Sequence, residues 1–138
     1  MKMNISTVAG NWQVTGESAT KALEKSVFKY RGTSIHKSIL SFFDIYPGAP
    51  GHTYTLSLPV VLYCDGIPCE AKIQPDNHGR FRLFWSKDLA EIINTRFEAH
   101  SEAFKNNTTP PDVGAIVFSR RALSKLRSYN ITFIGGAK

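Results

Sequence analysis

Two arginines alternate along Gly79-Arg80-Phe81-Arg82-Leu83-Phe84-Trp85. An arginine fork can satisfy O6 and N7 of a guanine together, and an asparagine such as Asn77 can do the same for adenine. Segment 29–41 carries Lys29, Arg31 and Lys37 and no acid, and Arg31 is a further candidate for a base edge. Those lysines, with Tyr30, Thr33, Ser34 and His36 beside them, suit phosphate oxygens, contacts that fix register without conveying sequence. A second chemistry is offered by Glu70-Ala71-Lys72. A Glu-x-Lys pair with an upstream carboxylate, Asp44 or Asp65, is the set of a metal-dependent nuclease, the acids holding Mg²⁺ while Lys72 orients a water. Strand alternation alone also puts Glu70 and Lys72 on one solvent face, and Asp65 belongs to an Asp-Gly turn. Cys64 and Cys69 flank that turn without the second pair that a zinc site needs. His36, His52, His78 and His100 form no ligand or catalytic motif, and there is no Gly-x-Ser-x-Gly or phosphate-cradling Gly-rich loop. No catalytic residue, metal ligand or cofactor is therefore assigned.

The chain that must position these groups has 138 residues and a formal charge of +6. That length suits one domain with a hydrophobic core of its own. Nine Phe, five Tyr and two Trp in a chain that is 42% hydrophobic exclude wholesale disorder. Two cysteines cannot build a disulfide framework. No run approaches the roughly 18 apolar residues of a membrane helix, and the first residues lack a signal-peptide apolar stretch. The positive charge is gathered in islands: 29–41, Arg80 to Lys87, and a tail with Arg120, Arg121, Lys125 and Arg127. Acid-rich stretches lie between them. Such islands suit a fold that collects them on one polyanion-binding surface, while scattered solubilising charge is the alternative.

Period and punctuation predict the elements. Residues 1–25 read as a partly irregular lead-in, with a short strand around Asn11–Thr15. Ser26–Tyr30 has the residue types of a strand, ended by Gly32. Ser34 caps a short helix carrying Ile35, Ile39, Leu40 and Phe43. From Thr53 to Tyr63 the period is two, with Tyr54, Leu56, Leu58, Val60 and Leu62 on one face. Asp65-Gly66 turns a hairpin, and the chain returns over Cys69–Gln74. In 79–85, Phe81, Leu83 and Trp85 face inward, sending Arg80 and Arg82 outward about 7 Å apart at ~3.3 Å per residue. Ser86 caps a longer helix with Leu89, Ile92, Ile93, Phe97 and Phe104 as its buried stripe, and Ala115–Phe118 and Tyr129–Ile134 close the chain as strands. The order is mostly β, an α+β chain with two inserted helices, best read as a small curved sheet or pseudobarrel.

The succession Thr33-Ser34-Ile35-His36-Lys37-Ser38-Ile39-Leu40-Ser41-Phe42-Phe43, the alternating strand 53–63, the Arg-x-Arg-x-x-Trp strand and Tyr129-Asn130-Ile131-Thr132-Phe133-Ile134 resembles the B3-like DNA-recognition domains of restriction endonucleases. These are of the kind found at the N-terminus of EcoRII-like enzymes and are similar to plant B3 domains. The resemblance covers roughly residues 26–134, so the B3-like domain is taken as 26–138. It implies a seven-stranded open pseudobarrel with two flanking helices, whose two projecting arms enter the major groove. An N-arm would lie at Lys29–Ser34 and a C-arm around Asp76–Arg82. Family members often carry Pro where this chain has His36.

With these roles the DNA-binding set is Lys29, Tyr30, Arg31, Thr33, Ser34, His36, Lys37, Asn77, His78, Arg80 and Arg82. Ser34 serves equally as a helix cap, and Arg80 and Arg82 could instead pair Asp76. The expected partner is double-stranded DNA, with a fused nuclease domain outside this chain, no membrane, and a prokaryotic cytoplasmic setting. The rival activities are an Mg²⁺-dependent nuclease using Asp44, Glu70 and Lys72, and an RNA- or single-strand-binding barrel that stacks bases on exposed Tyr and Phe.

Overall fold

The computed structural model describes residues 6–47, 56–76, 79–121 and 127–136. Nine strands are built from them: β1 (Ser6–Ala9), β2 (Trp12–Thr15), β3 (Ser18–Ala22), β4 (Gly32–Ile35), β5 (Leu58–Cys64), β6 (Ile67–Pro75), β7 (Phe81–Trp85), β8 (Ala115–Arg120) and β9 (Arg127–Ile134). Three α-helices, α1 (Lys25–Tyr30), α2 (Lys87–Arg96) and α3 (Glu98–Lys105), and a 3₁₀ helix at Lys37–Phe43 interrupt them. All nine strands join one sheet in the order β1-β2-β3-β8-β9-β5-β6-β7-β4. Every neighbour is antiparallel except β5 and β9. The chain is thus mainly β, with nine strands in place of the expected seven. Six of them lie in 26–138 and three in the lead-in, where the strand expected at Asn11–Thr15 is β2, flanked by β1 and β3, and β3 pairs β8.

The sheet curls until its ends face each other. β2 lies one strand from one border and β4 forms the other, yet the indole N–H of Trp12 donates to the Ser34 carbonyl at 2.9 Å. The curled sheet encloses an aromatic core, in which Trp12 meets Phe43 edge-on (5.8 Å) and Phe118 at a tilt (5.6 Å). Phe42 stacks on Tyr129 at 5.6 Å between centroids. Offset and edge-on rings favour these pairs beyond their simple burial. Among the described residues the seam is packing plus the Trp12–Ser34 hydrogen bond, with no continuous ladder.

Alternation reads correctly where the strands are long. Phe81, Leu83 and Trp85 are buried, as are Tyr129 and Ile131, while Phe133 is half-buried. Val60, Leu62 and Cys64 face the core, but β5 begins at Leu58, and Leu56 before it is exposed. The earlier part of the expected strand, 53–55, lies outside the described residues. Asp65 and Gly66 have φ of 50° and 80°, the pair of positive values that a tight hairpin with right-handed twist demands.

Three expectations change. Ser26–Tyr30 is helical: α1 buries Val27 and sets Phe28 against Phe104 of α3 at 6.0 Å, and this packing overrides the β propensity of Val, Phe and Tyr. Ser34 caps no helix, because it lies within β4. The 3₁₀ helix starts three residues later, with His36 Nδ1 accepting the Ser38 N–H at 3.1 Å. The helix after Ser86 is capped as expected, Ser86 Oγ accepting the Leu89 N–H at 3.3 Å, but it breaks at Phe97 into α2 and α3. Leu89, Ile93 and Phe97 are buried, whereas Ile92 falls off the stripe and is exposed.

Candidate nucleic-acid interface

The two segments implied as separate arms are neighbours in one ladder. β4 pairs β7 with Gly32 opposite Phe84, Ser34 opposite Arg82 and Ile35 opposite Phe81. On its other side β7 pairs β6, placing Lys72 opposite Phe84 and Gln74 opposite Arg82. Because Phe81, Leu83 and Trp85 point into the core, Arg82 and Phe84 point out. The outer face therefore carries two cross-strand rows, Ser34–Arg82–Gln74 and Gly32–Phe84–Lys72.

One end of this ladder is cationic and aromatic. Tyr30, the last residue of α1, is exposed, with the Lys29 amine 5.3 Å from its ring centre. The Arg82 guanidinium lies 5.6 Å from the Tyr30 ring and 5.8 Å from that of Phe84. Such contacts contribute about 0.5–1 kcal/mol at exposed sites and hold the cation without neutralising it. Arg31 follows in the left-handed conformation (φ 53°), and its carbonyl accepts the Trp85 N–H at 2.9 Å. Among the described residues Lys29, Arg31, Lys72 and Arg82 make no ion pair. A phosphate would meet these charges unmasked.

The opposite end is different. Arg80 is clasped by Asp76, whose carboxylate accepts from the side-chain Nε at 3.0 Å and from the backbone N–H at 2.9 Å. This pairing was one of the two roles read for Arg80. Being exposed, the ion pair contributes at most about 1 kcal/mol. His36 and Lys37 lie at this end, both exposed, and His36 Nδ1 is committed to capping the 3₁₀ helix. From Arg31 to Ile35 the ladder spans four residues, roughly 13 Å at ~3.3 Å each. Asn77 and His78 lie outside the described residues. Thr33 drops out as a phosphate contact, because alternation turns it inward opposite Leu83. Its side chain is fully buried, with Oγ1 donating to the Ser34 carbonyl at 3.3 Å.

The basic tail is also accounted for differently. Arg120 donates to the Ser41 carbonyl at 3.0 Å and twice to that of Phe42, at 2.8 and 3.1 Å. Arg127 donates to the carbonyls of Phe43 and Asp44 at 2.8 and 2.9 Å. The Ser41 carbonyl also accepts the Asp44 N–H, and the others are carbonyls at the end of the 3₁₀ helix, so the two arginines act as its C-terminal clamp. Arg121 lies over the Tyr63 ring at 3.8 Å and donates to Asn130. Lys125 lies outside the described residues. Arg127→Ala should therefore cost about 2–3 kcal/mol of stability. The salt dependence of polyanion binding should be unchanged. Urea denaturation and a salt titration of bound DNA check the two halves of this statement.

The nuclease constellation is not assembled. Arg127, which holds the Asp44 carbonyl, shares the core-facing side of the sheet with Val60 and Ala71, whereas Glu70, opposite Val61, faces out. Among the described residues no group of three or more His, Cys, Asp or Glu side chains is placed to hold a metal ion. Burial raises the pKa of both Cys64 and Cys69, aided at Cys64 by Asp65 and Cys69 and at Cys69 by Asp88. Both thiols are therefore poor nucleophiles. Buried His100 shares its Nε2 between the Asp112 carboxylate (2.8 Å) and the Asp112 carbonyl (2.9 Å). Both are acceptors, so the proton sits on Nε2. The same carboxylate accepts the Gly136 N–H, which makes this a structural knot at the chain's end.

Sequence reading missed Lys72, Gln74 and Phe84 as part of this surface. The signal was present: β6 and β7 are only five residues apart in sequence and pair antiparallel, so residues of one parity on each must share a face.

The N-terminal domain of Helicobacter pylori LlaJI.R1 is similar in structure. The likeness covers 86% of this chain and 80% of that one, with a TM-score of 0.53 and 14% sequence identity, and so is one of fold. No protein-family model matches the chain, and no curated protein sequence does. Among the described residues no helix is long and apolar enough to cross a membrane.

Proposed function

We propose that this chain is a sequence-specific double-stranded DNA-binding module of B3-like type. It would serve as the target-recognition part of a type II-like restriction endonuclease, acting in a prokaryotic cytoplasm. The catalytic nuclease domain would lie outside these residues, and this chain performs no chemistry itself. The observation that carries the reading is the outward face of β6 and β7 with the adjoining end of α1, where among the described residues Lys29, Arg31, Lys72 and Arg82 make no ion pair. The roughly 13 Å between the ladder's ends is comparable to the major groove, about 12 Å wide. Arg82 would reach a guanine edge, with Lys29, Arg31 and Lys37 on flanking phosphates. The fold shared with the N-terminal domain of LlaJI.R1 is compatible with this reading.

The test is a selection of duplexes from a random pool, followed by gel shifts on the recovered site. Arg82→Ala should weaken binding to that site by about 1–3 kcal/mol and relax discrimination at one base pair. Lys29→Ala should weaken all sequences alike and reduce the salt slope by about one. A pool that yields no enriched sequence, or an Arg82→Ala protein that binds the site like the unaltered chain, overturns the proposal.

A further inference from the structure

Between the end of α1 and the outer face of β6 and β7 lies an open groove of about 360 Å³, lined by Tyr30, Arg31, Lys72, Gln74, Phe84 and Trp85. Its size falls at the lower end of the roughly 300–1,000 Å³ typical of small-ligand sites. From this groove we infer that the domain receives one nucleobase turned out of the duplex. The inference rests on the DNA-binding reading above.

The composition of the groove fits an unstacked base. Tyr30 on one side and Phe84 on the other present aromatic rings, and the Arg82 guanidinium lies near both. Rings and guanidinium planes are the surfaces on which splayed bases stack. Gln74 stands across the strand pair from Arg82 and offers one amide donor and one acceptor, the pattern that an adenine edge matches. Arg31 and Lys72 in the lining supply positive charge for the phosphates flanking an extruded nucleotide.

The groove offers two rings and room for one base. A path for single-stranded nucleic acid needs a series of stacking platforms along a charged channel. A two-ring slot beside a groove-sized ladder therefore favours a duplex with one base turned out.

Extrusion has a measurable signature, because it costs least where the pair is already broken. Duplexes recovered from the random pool are used with a single mismatch placed at each position in turn. One position should bind about tenfold more tightly when mismatched. In Tyr30→Ala that gain should shrink to less than twofold, while Tyr30→Phe, which keeps the ring, retains it. Equal binding of matched and mismatched duplexes at every position, with the selected sequence still preferred, overturns the slot and leaves the DNA-binding reading standing. A chain that prefers single-stranded oligonucleotides of the same sequence to every duplex overturns both.

Discussion

Trp12→Ala should lower the stability of the domain by about 4 kcal/mol, the middle of the range for a buried aromatic. For a chain of this length the melting temperature should fall by roughly 15 °C. The loss has two parts. The ring is buried against Phe43 and Phe118, so truncation opens a cavity in the centre of the core. Its N–H also spans the seam to Ser34, so the carbonyl there loses its closer donor and keeps only the Thr33 hydroxyl at 3.3 Å. Trp12→Phe separates the parts, since it keeps most of the ring and removes the donor, and should cost about 1–2 kcal/mol. Differential scanning calorimetry measures both. A Trp12→Ala protein melting within a few degrees of the unaltered chain would mean that the seam is not held this way.

The second large effect is expected at Gly32, where β4 begins. A Cβ there would be driven into the Leu83 carbonyl oxygen and would lie 3.1 Å from the Phe84 Cα. Both obstacles are backbone atoms of β7, so no side chain can yield. Gly32→Ala must push β4 away from β7, at a cost of about 3 kcal/mol. Because Ser34 and Arg82 are cross-strand partners in that ladder, DNA affinity should fall with it. Ser34→Ala, two residues along the strand at an exposed side chain, is the control and should stay within about 0.5 kcal/mol. Urea midpoints for the two proteins decide the matter. Similar midpoints for Gly32→Ala and Ser34→Ala would refute the close approach.

What the sequence disclosed follows from where local pattern and tertiary packing agree. The strand at 81–85, the Asp65-Gly66 hairpin, the Ser86 cap and the closing strand were legible because period two and turn chemistry act within a few residues. Residues 26–30 were misread, since Val27 and Phe28 have β-forming side chains but find their partners on α3, far along the chain. The lead-in's strands have four or five residues each, too few for alternation to stand out among Ser, Thr and Gly. At the candidate site, charge alone marks Lys29, Arg31 and Arg82 as cations, and strand parity gives the outward direction of Arg82 only. Arg120 and Arg127 show the limit of that method: charge marks a side chain as cationic but not whether it reaches a helix end some eighty positions away. Thr33 shows another limit, because a hydroxyl on a strand is inside or outside according to a register that only the partner strand sets.

A sheet that curls without a closing ladder keeps two open borders, and open borders recruit foreign strands. Here β1 and β4, the border strands, are four residues each. One carbonyl of β4 is already occupied by an indole. So little free backbone is left to template a stack of copies that the molecule should resist fibrillar association even though its sheet never becomes a true cylinder. That protection would be lost together with Trp12.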